Sequence, residues 1–308
     1  MSNPKVSIAI PTFNRVELLK RAVESVNFQD YSNIEIIISD NCSNDSTAQY
    51  LKTLQSNPLV IINQNSNNIG MVKNWDKCLE LSSGEFFLLM SDDDYFIEKN
   101  AINRLVSGFN LDGAAFVFSD VLIHNTDTNE KYPTNSDQKT FSLSDLTYKF
   151  FSNKVQVYPC STLLKKDDIK RLGGYSSFNV NNSCDVCVWL SVLIDKPYAV
   201  RVSSALAVYT VHNSLSSASV EEWQDEFAGI RRVLDNKFNI IRDNDYNKIV
   251  SGLNIGLNRI PVGYISRSFR YNHEYGIVNV LRDVYKWRKS IFILDNILFI
   301  VRKILLKK

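Results

Sequence analysis

Ile34-Glu35-Ile36-Ile37-Ile38-Ser39-Asp40 decides the fold: one glutamate interrupts four isoleucines, and a serine and a carboxylate close the run. Such a stretch is too continuously apolar for a strand with one wet face, so it reads as part of a parallel sheet covered by helices on both sides. Phe86-Phe87-Leu88-Leu89-Met90 reads the same way. Working outward, strands over 6–10, 34–39, 59–62 and 85–90 alternate with helices over 17–28, 46–55 and 71–81. That order is β-α-β-α-β-α-β, and in such sheets ligands bind beyond the carboxyl ends of the strands.

The chain has 308 residues, 44% hydrophobic and 22% charged, with 17 Phe, 14 Tyr and 11 Gly, which describes a globular protein and excludes a small stapled module or a disordered segment. Thirty-five Lys and Arg against 33 Asp and Glu leave +2, so nucleic acid is not an expected partner. Five cysteines, an odd number in a long chain, argue against a disulfide framework. The opening residues lack the basic start, apolar stretch and cleavage site of a signal peptide, so a cytoplasmic location is expected. The segment 290–308 has apolar residues at helical spacing and Arg302, Lys303, Lys307 and Lys308 near the other face. Asp295, Asn296 and its basic residues interrupt it too often for a spanning helix. It reads either as packing against the rest of the chain or as a peripheral contact with an anionic membrane at its inner face.

Beyond Asp94 the pattern loosens into helices near 101–109 and 143–151, strands near 115–123, 160–164 and 205–211, and an apolar helix beginning close to Asp185. From about 221 helical patterning dominates, which divides the chain into residues 1–215 and a helical region over 216–308.

The first four strand ends all carry carboxylates or amides: Pro11-Thr12-Phe13-Asn14-Arg15, Asp40 to Asp45, Asn63 to Gly70, and Ser91-Asp92-Asp93-Asp94. No glycine-rich dinucleotide loop and no P-loop occurs among them. Three consecutive aspartates repel one another unless a counter-charge is present. A hard cation such as Mn²⁺ or Mg²⁺ takes one or two protein carboxylates and completes its shell with substrate phosphate oxygens. The bland alternative is an acidic turn capping the next helix. Asp45-Ser46-Thr47 reads as a helix cap, and Asp40, directly after its strand, reads as an acceptor for a base N–H or ribose hydroxyl.

These motifs, together with Asn67-Asn68-Ile69-Gly70-Met71-Val72-Lys73-Asn74, resemble glycosyltransferase family 2 with the GT-A fold. The resemblance covers roughly the first 215 residues. It implies an α/β architecture, a Rossmann-like, mostly parallel sheet flanked by helices, with a helical C-terminal extension. It further implies that Pro11, Thr12 and Arg15 lie at the nucleotide, that Asp40 contacts uracil, and that Asn67, Gly70 and Lys73 border the nucleotide-sugar. Asp92 and Asp94 resemble the outer members of the D-x-D element that holds ribose and metal, with Asp93 an additional candidate. The family writes this element Asp-x-Asp-Asp, and Ser91 occupies what could be its first position.

Further along, Leu172-Gly173-Gly174-Tyr175 and Cys184-Asp185-Val186 resemble the Gly-Gly-Phe and Glu-Asp region of the family, which implies that Asp185 is the general base; Cys184 stands where Glu is usual. Partial burial at the head of an apolar helix could raise the pKa of Asp185 toward a useful base, and helix capping is the alternative. Tyr209 to Ser216 resembles a segment in which a histidine, His212, approaches the metal and diphosphate. Cys184-x-x-Cys187 has no second pair to complete a zinc site and reads as core packing.

The resulting expectation is an inverting transfer from a UDP-sugar, or another nucleotide-sugar, to a hydroxyl of a glycan or lipid-linked acceptor in bacterial-type surface polysaccharide synthesis. The rival readings are a sugar nucleotidyltransferase and a non-catalytic nucleotide or glycan-binding module.

Overall fold

The computed structural model describes residues 3–212, 220–235 and 245–256. Its first half follows the expected alternation: β1 (Val6–Thr12), α1 (Val16–Asn27), β2 (Ile34–Asp40), α2 (Thr47–Leu54), β3 (Val60–Gln64), α3 (Met71–Leu81) and β4 (Phe86–Leu89). There follow β5 (Tyr95–Phe96), α4 (Ala101–Gly108), β6 (Ala114–Asn125), β7 (Glu130–Pro133), β8 (Thr140–Phe141), α5 (Leu143–Phe151), β9 (Thr162–Lys165), α6 (Lys166–Arg171), α7 (Cys184–Ile194), β10 (Tyr198–Val211) and α8 (Val220–Asp235). A further helix, α9, spans 245–256.

The described strands form one sheet ordered β3-β2-β1-β4-β9-β6-β10-β5, with β7 beside β6 and β8 beside β10. Strands β1 to β4 are mutually parallel; β9 runs antiparallel between β4 and β6, and β10 is parallel to β6. The antiparallel wedge therefore leaves the carboxyl ends of β1, β2, β4, β6 and β10 on the same edge.

Alternation along the strands feeds two cores. Ile36, Ile38, Ile8, Ile10 and Leu88 pack with Leu19, Val23 and Ile102 of α1 and α4, whereas Ile37, Ala9, Phe87 and Phe116 pack with Trp75, Leu146 and Trp189 of α3, α5 and α7. Such two-sided burial explains the unbroken apolar reading of β2. The exception, Glu35, is buried at the amino edge, where Ser7, Ser83, Gly84 and Lys5 surround its carboxylate. Burial alone raises its pKa, but Lys5 and the donors of Ser7 and Ser83 prevail and hold it at about 2.

Residues on both sides of position 215 share one core: Phe227, Ile230 and Leu234 of α8 and Ile249 and Leu253 of α9 join the cluster containing Phe116 and Trp189. The elements that sequence periodicity passes over are short or polar. Strands β5 and β8 have two residues each, β7 is exposed throughout, and the first half of β10 carries Arg201, Ser203 and Ser204. Arg201 forms a buried ion pair with Asp120, and Ser204, at φ +98°, turns its N–H to the same carboxylate. No helix among the described residues is long and apolar enough to cross a membrane. The segment 290–308 lies outside them.

Candidate functional site

The loop after β1 and the turn after β4 meet at the carboxyl edge. Thr12 donates its hydroxyl to Asp92 Oδ2 at 2.8 Å, and Arg15 Nη1 lies 3.1 Å from both Asp92 Oδ1 and Asp93 Oδ2. Arg15 supplies the counter-charge that three adjacent carboxylates require. Arg21, stacked over Tyr95, and Thr210 both donate to the Asp93 carbonyl, fixing the turn from two sides. Burial pushes the Asp92 carboxyl up to about 6, against the pull of Arg15.

Asp94 turns inward. It is 1% exposed and accepts the Thr210 N–H at 2.8 Å, and burial with the neighbouring Asp93 charge raises its pKa far above the usual carboxylate range. Oδ1 of Asp94, an expected metal ligand, is thus engaged in an interior bond rather than by Arg15. The parallel pairing of β10 with β6 instead brings His212 to Asp93, with Nε2 3.2 Å from Oδ2.

The His212 ring is held from behind, where Nδ1 lies 3.2 Å from Thr126 Oγ1 in the turn after β6. Nε2 is buried and makes no hydrogen bond among the described residues. If Nδ1 carries the ring proton toward Thr126, the Nε2 lone pair faces a carboxylate oxygen, and a cation between them satisfies both. Adjacent ligands of an octahedral Mg²⁺-sized ion lie about 3 Å apart, close to the observed spacing. The described residues gather no group of three or more acidic, His or Cys side chains around one metal position. A hard cation held by two protein groups and substrate oxygens fits that arrangement.

Of these residues, Thr12, Arg15, Asp92 and Asp93 border a cavity of about 420 Å³, with Pro11 on the same wall and Asn41, Asn68, Gly70 and Asn74 on the other; Asp94 and His212 are outside its lining. Exposed Phe13 and Met71 flank it, with Trp75 between them and the core. The second wall is an amide network that sequence reasoning missed. Asn41 binds Asn65, Asn68 and the Ile69 N–H, while Asn74 binds Ser39 and Asn65. The signal was the density of asparagine between positions 63 and 74.

Besides Asp94, His212 and Asp185, three predicted site residues are outside this lining. Asp40 is 2% exposed and accepts the Ser43 N–H within its own loop. Asn67 is exposed and contacts only its neighbours Ser66 and Asn68, and Asn68 lines the wall in its place. Lys73 is exposed on the first turn of α3. Asp45 caps two helices, accepting the Val16 N–H of α1 and the Thr47 N–H of α2; these donors outweigh burial and lower its pKa.

Asp185 occupies the first turn of α7, half-buried, and accepts the N–H of Val186 at 2.8 Å. Burial, reinforced by the charge of Glu226, pushes its carboxyl up to about 7 despite that bond. Burial raises the Tyr209 hydroxyl of β10 well above its usual range, and the charges of Asp94 and, less, Asp185 add to that. Cys184 and Cys187 are buried free thiols, as core packing requires.

The family model described as Glycosyl transferase family 2 matches residues 7–173. A GalNAc(5)-diNAcBac-PP-undecaprenol beta-1,3-glucosyltransferase of Campylobacter jejuni is 26% identical over 261 residues, covering 80% of this chain and 79% of that protein. Among solved structures, Staphylococcus aureus TarS in complex with UDP-GlcNAc superposes with a TM-score of 0.69 at 16% identity, covering 92% of this chain and 81% of that one. A mannosyltransferase from Pyrobaculum calidifontis in complex with GDP-Man and Mn²⁺ superposes with a TM-score of 0.60 at 12% identity, covering 99% and 88%. Both likenesses concern the fold.

Proposed function

The chain belongs to glycosyltransferase family 2 and has its GT-A fold, and on that premise we propose that it transfers a sugar, with inversion, from a UDP-sugar to a hydroxyl of a lipid-linked glycan acceptor in bacterial surface polysaccharide synthesis. The observation that carries this reading is the meeting of Arg15, Asp92 and Asp93 on one wall of the cavity, with His212 against Asp93. Carboxylates, a guanidinium and an imidazole whose Nε2 faces a carboxylate oxygen without a hydrogen bond are a donor set for a nucleoside diphosphate and its counter-ion. The names of the C. jejuni relative and of the TarS complex support the lipid-linked acceptor and the UDP-sugar donor.

Asp93 and His212 are the residues that would hold Mn²⁺ or Mg²⁺, whose charge offsets that developing on the leaving diphosphate. Arg15 adds a fixed positive group beside the same carboxylates, and the asparagine wall orients the nucleotide through amide donors and acceptors. Asp185 accepts the proton of the attacking hydroxyl. A carboxylate raised to about 7 is matched to that task near neutral pH. A peripheral membrane contact by the segment 290–308 would bring a lipid-linked acceptor to this edge.

The test is release of UDP from a panel of UDP-sugars with Mn²⁺ present, comparing the native chain with Asp185→Asn. Turnover is expected to fall by about 10²–10⁴-fold with nucleotide affinity nearly unchanged. Full activity in the variant removes Asp185 from the reaction, and absence of UDP release by the native chain with every donor overturns the donor class.

A further inference from the structure

The head of α7 is not held by its own cap. Ser183, the N-cap residue, makes no side-chain bond to the helix and gives its hydroxyl to Glu226 of α8. Glu226 is 4% exposed, and its carboxylate also accepts three consecutive backbone N–H groups. Oε1 takes those of Asn181 at 2.8 Å and Asn182 at 3.0 Å, and Oε2 takes that of Ser183 at 2.9 Å. These four donors stand immediately before Cys184 and Asp185. Hydrogen bonds to an ionised buried acceptor are stronger than neutral ones, so the segment is anchored from outside the helix it begins.

We propose that Glu226 is the positioning residue of Asp185: it fixes the chain that carries the proton acceptor and sets a negative charge behind it. This rests on the reading of Asp185 as that acceptor. The position before Asp185, where the family resemblance implies a glutamate, is Cys184, and the Glu226 carboxylate of α8 lies against the three residues that precede it. Among the groups whose charge states bear on Asp185, Tyr175 precedes α7 in the loop after α6, Tyr209 comes from β10, and Cys184 and Cys187 lie on α7 itself. Burial raises all four hydroxyls and thiols, so they are neutral near pH 7 and Glu226 supplies the charge. That charge adds to burial, the larger cause, in favouring the protonated form of Asp185 and so strengthening the carboxylate as a base.

The experiment compares full-length Glu226→Gln, Glu226→Asp and Ser183→Ala with the native chain, measuring UDP affinity, kcat, donor KM and the pH dependence of kcat/KM. Glu226→Gln is expected to lower kcat about tenfold or more with donor KM within about twofold, and to move the acidic limb of the profile to lower pH. Glu226→Asp, which keeps the charge, is expected to return the limb toward its native position. A fall in kcat with an unmoved limb marks a merely structural glutamate and overturns the proposal, as does native kcat in Glu226→Gln. If that variant fails to bind UDP, Ser183→Ala decides: a several-fold loss of kcat at native donor KM supports the anchor, and native kcat overturns it. Asp185→Asn, assayed in parallel, reports on the base independently, so full turnover there removes the base and leaves the Glu226 results to be read without it.

Discussion

The carboxylate of Asp76 on α3 accepts the backbone N–H of Tyr175 at 2.6 Å, and its second oxygen accepts that of Ser176 at 3.0 Å. One residue earlier, Trp75 meets the Tyr175 ring edge-on at 5.5 Å. Helix α3 starts at the cavity with Gly70, so a single helix ties the nucleotide wall to the loop that leads into α7. Asp76 is the residue that the Gly173-Gly174 motif is shaped around.

Gly174 should therefore be intolerant of a side chain. It has φ +82°, and a Cβ there would lie 2.5 Å from Asp76 Oδ1. Gly174→Ala combines a left-handed backbone with a clash and is expected to destabilise the fold by about 1–3 kcal/mol. Urea unfolding checks this, and an unchanged midpoint would show that the loop relaxes without strain.

The divalent cation should be lost with Asp93 and His212 but not with Asp94. In Asp93→Asn and in His212→Ala, the Mn²⁺ concentration for half-maximal UDP binding is expected to rise by about tenfold or more. Asp94→Asn, which alters an interior bond to Thr210, is expected to lower stability by about 1–3 kcal/mol while leaving the Mn²⁺ titration near native. A titration displaced only in the Asp94 variant would reverse this assignment.

Which parts of this site were legible follows from what each residue answers to. Strands β1 to β4 declared themselves because two covered faces leave little room for polar residues, and α3 and α5 begin and end where periodicity puts them. The meeting of Arg15 with Asp92 follows from two motifs at the ends of adjacent parallel strands. Which partner each carboxylate meets could not be read locally, because Asp93 and Asp94 are neighbours in sequence, one against Arg15 and His212 and the other against the Thr210 N–H. Only the pairing of β10 with β6 and β5 decides which of them meets His212 and which meets the Thr210 N–H. Glu226 and Asp76 were invisible for a related reason. Each acts on a backbone segment 43 or more positions away, and nothing local marks it.

Glu35 gives the fold an acid limit. Its pKa of about 2 lies below the ordinary 4.5, so its stabilising contribution is complete above about pH 4.5 and is lost as pH falls through 2. Glu35→Gln is expected to lower stability by about 1–3 kcal/mol at pH 7, with the gap to the native chain closing between pH 4.5 and 2. A gap constant across that range would mean that packing, not charge, is lost.

The ion pair of Arg201 and Asp120 should be costly to break from one side. Both side chains are 8% exposed, and the Ser204 N–H adds a third group to the carboxylate at a bulge in β10. Asp120→Ala strands a buried guanidinium and is expected to cost about 3–5 kcal/mol. Replacing both partners with apolar residues of similar volume should recover much of that loss. Denaturant midpoints of the single and double variants decide the matter, and an additive double variant argues against direct coupling.

The wedge of β9 has one more effect. By turning β6 and β10 back to the direction of β1 and β4, it lets the connections that follow β1, β4 and β6 share one edge above the isoleucine and phenylalanine layers. Selection can lengthen or reword these connections to accommodate a different saccharide without repacking the interior. A constant interior with an exchangeable rim can serve more than one sugar chemistry.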